Sequence, residues 1–172
     1  MAVTRPEFLV DAGRTLAATI ENRRRRFDSE AATIVADAVK SGTAGGSAHR
    51  EALHSLCAAE LHERMTMYAS AAIGAHRALS GAPSADLLVA AKDWIDHKSA
   101  TEVRLLATRL PQPNVALGDT WTADNLHAEA KREQDAAHAL LDAEWRRLQR
   151  ARAERALRWV VRAWRTLGLA GA

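Results

Sequence analysis

From Thr120 to Leu167 the chain contains neither glycine nor proline, and this uninterrupted run limits what it can fold into more than any other feature. Alanine, leucine, glutamate and arginine dominate the run, and all are strong helix formers. It therefore reads as one helix of about 45 residues, starting near Thr120 or Thr122. At about 1.5 Å per residue such a helix is nearly 70 Å long.

Elsewhere the breakers gather at three places: SGTAGGS at 41–47, SGAP at 80–83 and LPQPNVALGD at 110–119. The segments between them repeat apolar residues at three and four, the period of an amphipathic helix. Leu9, Ala12, Leu16, Ile20, Phe27, Ala31, Ile34 and Ala38 mark a first helix over about 5–40. Thr4 caps it, Pro6 is tolerated in its first turn and Glu7 closes a capping box. Cys57, Leu61, Met65, Tyr68, Ala72, Ala75 and Leu79 mark a second over about 48–79, stopped by Gly81 and Pro83. Ser84 caps a third over about 85–109, with Leu88, Ala91, Ile95, Leu105 and Leu106 on one face and Trp94 beside them.

Four long helices with short loops predict an all-α fold, an antiparallel four-helix bundle. Helices of about 33 residues span about 50 Å, so the fourth should overshoot, bend back or pair with a second chain. The 172 residues suit one domain, and the 48% hydrophobic content suffices for a core. Aromatic residues stand at 5% and β-branched residues are sparse, so strands are not favoured. Cys57 is the lone cysteine and no zinc-type Cys/His spacing exists, which points to a reducing, cytoplasmic setting. No apolar run approaches 18 residues, and acidic residues stand where a secretory signal needs an apolar stretch.

The net charge of +3 conceals a division. Residues 145–172 carry eight arginines against Glu154 alone, a net +7, whereas residues 1–144 carry 16 basic and 20 acidic side chains, a net −4. The chain thus divides into an acidic helical body, 1–144, and a basic extension of the last helix, 145–172. On a helix Arg155, Arg158, Arg162 and Arg165 fall in one arc, and Arg146, Arg147, Arg150 and Arg152 extend the charge upstream. Ala156, Leu157, Val160, Trp164 and Leu167 occupy the other side, with Trp159 and Val161 at its edges. The arginine row suits nucleic-acid phosphates. The apolar face with its tryptophans suits a membrane surface, a groove on a partner protein, this bundle itself or a second copy of the chain. Arg23–Arg26 point in four directions around a helix, which suits interhelical salt bridges better than a ligand site.

Two spacings invite chemistry. Glu51 with His54, and Asp135 with His138, are three apart and so share a helix face, with Glu102 and Glu30 available from the other two helices. This set resembles the ferritin-like di-iron bundles, which place a carboxylate on each of two helices and a Glu-x-x-His pair on each of the others. The resemblance implies a metal centre; Asp135 replaces the usual Glu. Arg132 and His138, six apart, are similar to the Arg–His pair of the HEPN-superfamily helical ribonucleases. That likeness implies a bundle whose dimeric copies cleave RNA with the histidine as acid or base. There is no phosphate-cradling glycine loop and no nucleophile elbow, and Cys57 reads as a small core residue. Glu60, Arg64, Lys98 and Glu133 lie near core stripes and need interhelical partners.

The expectation is a non-catalytic interaction or adaptor protein without a cofactor. Its basic C-terminal helix binds an anionic partner, nucleic acid first, or mediates homo-oligomer formation. The ferritin-like metal bundle and the HEPN-like ribonuclease are the alternatives.

Overall fold

The computed structural model describes residues 7–78, 84–109 and 120–166. They form four helices packed together, α1 (Glu7–Lys40), α2 (Ser47–Ala78), α3 (Ala85–Arg109) and α4 (Thr120–Thr166), with no strand among the described residues. The Thr4–Pro6 cap, Leu79, the breaks at 80–83 and 110–119, and Leu167 lie outside them.

The turn after α1 shows why the helix stops where the sequence says. Gly42 takes a φ of 68°, a left-handed conformation that a side chain disfavours. Its N–H bonds the Val39 carbonyl at 3.2 Å, and the Thr43 N–H reaches the Ala38 carbonyl at 2.9 Å. These are the paired bonds of a Schellman cap, which satisfy carbonyls the helix itself leaves open. Gly45, at φ 78°, then donates to Nδ1 of the buried His49 at 3.0 Å as α2 begins. Ser84 caps α3 as its position predicts, its Oγ accepting the Leu87 N–H at 3.3 Å.

The core runs along the facing stripes of all four helices: Leu9, Ile20 and Phe27 of α1, Leu61 and Met65 of α2, Ile95 and Leu106 of α3, Leu126 and Leu141 of α4. Trp94 belongs to this core rather than beside it. It meets Tyr68 edge to face at 5.5 Å between ring centres, and Leu105 is only half-buried in its place. The Lys98 ammonium lies 5.6 Å from the centre of the Tyr68 ring and 5.7 Å from that of Trp94, close enough for cation–π attraction. α1 packs on α2, and α4 packs on both α2 and α3. The packed face of α4 ends at Trp145, whose ring meets that of His76 in a tilted contact, 4.3 Å between centres. Leu148 and Ala151 are half-buried, and every residue from 152 to 162 is exposed.

Candidate functional site

On α4 the buried residues Leu126, Ala130, Ala137, Leu141 and Trp145 recur at the spacing of a bundle seam. At about 100° per residue, that seam continues through Arg155, Trp159 and Arg162. The face that carries core side chains in the body therefore becomes a guanidinium–indole–guanidinium face in the tail. Trp159 follows Arg155 by four residues and precedes Arg162 by three, so the three side chains are neighbours on the helix surface. At 71% exposure it is the most exposed large apolar side chain among the described residues. The sequence pattern alone sets it at the edge of the apolar face; the seam of the body shows that it also stands among the arginines.

Not all of the basic row is equally placed. Arg147 is held by Glu144, donating from Nε at 2.8 Å and from Nη2 at 2.7 Å. Glu144 also accepts from Arg77 of α2 at 2.8 Å. Hydrogen bonds from Arg147 and Arg77 hold the Glu144 carboxyl down to about 2. Arg147 thus anchors the end of the body through Glu144 while remaining exposed. Arg150 and Arg155 turn their Nε toward the carbonyls of Arg146 and Ala151, one turn back, at 3.4 and 3.3 Å. Arg146, Arg152, Arg158 and Arg162 are exposed, and the side chain of Arg165 lies outside the described residues. Leu157, Val160, Val161 and Trp164 form a second exposed face, about 150° around the helix from the seam.

The other concentration of charge is inside. Glu102, 1% exposed, accepts from Arg64 Nη1 at 2.6 Å, Tyr68 Oη at 2.7 Å and Arg24 Nη2 at 3.0 Å. Arg64, fully buried, also donates to Glu60 at 2.7 Å, and Glu60 accepts from both Nε and Nη2 of Arg23, at 3.3 and 2.8 Å. Burial pushes the Glu102 carboxyl up, but the hydrogen bonds from Tyr68 and Arg64 and the charges of Arg64 and Arg24 outweigh it, so the pKa lies below the ordinary value. Burial, then the bond to Glu102, pushes the Tyr68 hydroxyl up. Glu102 is held ionised and Tyr68 protonated. This cluster ties α1, α2 and α3 together, the use expected for Arg23, Arg24, Glu60 and Arg64.

The five residues of the metal reading are not brought together. Glu102 is committed to arginines and a tyrosine, and His54 lies ten residues, about 15 Å along α2, from the level of Arg64. Glu51 is exposed, Asp135 pairs with Lys131 at 2.7 Å, and His138 Nε2 lies 2.9 Å from Asp96 Oδ1 of α3. Glu30 is bonded by Arg26 at 2.7 Å. Among the described residues no three His, Cys, Asp or Glu side chains gather as a metal site requires. Spacing along one helix is right for chelation, but the register between helices sends each side chain to a different neighbour. Arg132 bonds Glu129 at 2.7 Å and points outward, whereas His138 faces α3, so this copy does not hold the Arg–His pair on one face. Cys57 is completely buried and burial pushes its thiol up to about 12, against a smaller lowering by Arg64.

No helix among the described residues is long and apolar enough to cross a membrane. Comparison with known proteins finds no matching family model, no matching curated protein and no matching solved structure.

Proposed function

We propose that this chain is a non-catalytic interaction protein of the cytoplasm, in which an antiparallel four-helix body carries a projecting basic helix that binds single-stranded nucleic acid. The order of interhelical contacts supports the antiparallel arrangement. Lys92 pairs with Asp142 and Asp96 lies beside His138, numbers rising on α3 as they fall on α4. His62 pairs with Glu133 and Arg77 with Glu144, rising together on α2 and α4, as second and fourth helices of an up-and-down bundle do. By this register the end of α2 and the start of α3 lie near residues 145–149 of α4. About 18 further residues, roughly 27 Å of helix, extend past them.

The observation that carries the reading is the Arg155–Trp159–Arg162 face. Its indole, 71% exposed between two arginines on the helix surface, is open to a ligand. Single-stranded nucleic acid supplies a base to stack on the indole and phosphates for the flanking guanidinium groups. The acidic body, by contrast, repels a polyanion and leaves the tail as the place of contact. Body residues 1–144 act as the platform and residues 145–172 as the binding element.

The test is fluorescence anisotropy with a labelled pyrimidine-rich RNA. The full chain should bind at about 50 mM salt and lose affinity steeply by about 200 mM as counterions are released. Trp159→Ala should weaken binding roughly 5- to 150-fold, the range for loss of one base stack. A chain ending at residue 150 should lose binding and keep the melting temperature of the body. Absent or salt-independent binding by the full chain overturns the proposal.

A further inference from the structure

The second face of the tail asks for a different occupant. Ala153, Leu157, Val160 and Trp164 are spaced four, three and four, an a/d heptad seam, and Leu157, Val160 and Trp164 are 64%, 43% and 57% exposed. This seam is about 150° around α4 from the one that packs on α2 and α3, so the body cannot cover it while α4 stays helical. We infer that it is a self-complementary coiled-coil seam, by which the tails of two copies of this chain pair.

Charge placement favours a second copy over a lipid surface. In the heptad set by this seam, Arg152, Arg155, Arg158 and Arg162 fall at the outer b, c and f positions. The flanking e and g positions hold Gln149, Glu154, Ala156, Val161 and Ala163. From Ala153 to Trp164 no arginine therefore faces its counterpart across a paired seam; Arg150, one heptad before Leu157, falls at an a position, where like charges oppose pairing and end the seam. A helix lying on an anionic membrane needs its cations beside the apolar face, within reach of the headgroups. Here Arg152, Arg155, Arg158 and Arg162 lie more than about 100° from its centre and would point away from the bilayer, and Arg150, about 50° away, borders it. The small side chains at 153, 156 and 163 let two helices approach, and Trp164 fills the space between them.

The area agrees with a reversible dimer. Counting about 250 Å² for a whole tryptophan and less for leucine and valine, the exposed apolar surface of Leu157, Val160 and Trp164 is about 300 Å² per chain. A pair covers about 600 Å², below the roughly 1,000 Å² of a stable interface, so association is weak and depends on concentration. The pairing does not depend on the nucleic-acid reading, because it uses the opposite face. It leaves both Arg–Trp faces outward, so a dimer would present two of them.

The experiment is sedimentation velocity of the full chain, treated with nuclease, from about 1 to about 200 μM. The mass should rise from 18.7 kDa toward twice that value across the series, and added salt should leave the association intact or strengthen it. Leu157→Glu with Trp164→Glu should hold the protein at monomer mass at every concentration, with unchanged helical content. Arg158→Gln with Arg162→Gln should dimerise as the parent does. A monomer throughout, or an association abolished by salt or unaffected by the Leu157/Trp164 variant, overturns the inference. A membrane occupant would show instead as tail-dependent flotation with anionic vesicles by a protein that stays monomeric.

Discussion

Replacing Glu102 by leucine removes the acceptor on which the buried Arg64 and Tyr68 and the half-buried Arg24 converge. Arg64, fully buried, keeps only Glu60, and Tyr68 Oη is left without the 2.7 Å bond it makes. Breaking a buried ion pair from one side costs about 3–5 kcal/mol, because the surviving charge stays desolvated. The orphaned hydroxyl adds to this and the new apolar contacts offset part of it, so a loss of about 4 kcal/mol is expected. That is a large share of the roughly 5–15 kcal/mol that holds a domain of this size. Removing both sides with Arg64→Met and Glu102→Leu should cost less than the two single changes together, by about 2 kcal/mol or more. Glu60 keeps its two bonds from Arg23 in that double variant. Urea denaturation followed by far-ultraviolet circular dichroism at pH 7 supplies all four corners of the cycle. A Glu102→Leu protein within about 1 kcal/mol of the parent, or strictly additive losses, would refute the account of this cluster.

Two further outcomes follow from the same geometry. Glu102 and Glu144 both titrate below the ordinary carboxylate value of 4.5, Glu144 at about 2, so their stabilisation is complete above 4.5 and is lost as pH falls toward 2. Denaturant midpoints should be flat with respect to these two groups near neutrality and fall over that window, and Glu144→Gln should flatten the decline. Cys57, buried and with its thiol pushed up to about 12, should resist a thiol reagent at pH 8 in the native protein and react at once in urea. Rapid native labelling would contradict its placement.

The helices were largely legible from local signals. Glycine at a left-handed position ends α1 at Gly42, a serine cap begins α3 at Ser84, and the gap in breakers marks α4; each depends on residues a few places apart. The cluster around Glu102 was legible only in part. Its members announced themselves as polar residues on apolar stripes, but Arg64 and Glu102 are 38 residues apart and Arg24 and Glu102 are 78 apart. Which one meets which is decided by the offset between helices, and no local spacing encodes that. The metal reading failed to assemble for the same reason. In the tail, composition exposed the charge, but not the shift of apolar phase between Trp145 and Ala153. That shift has meaning only once the buried side of the body is known, and it then separates an Arg–Trp face from a Leu–Val–Trp face.

The central claim, that the tail is a binding element for a polyanion, is tested most directly by the salt dependence of RNA affinity. For a single strand the slope of log K against log salt concentration is about −0.7 per phosphate neutralised. Replacing Arg155, Arg158 and Arg162 by glutamine should therefore make the slope of the full chain shallower by about 2. A slope near zero for the parent protein, or one that the triple variant leaves unchanged, would contradict it.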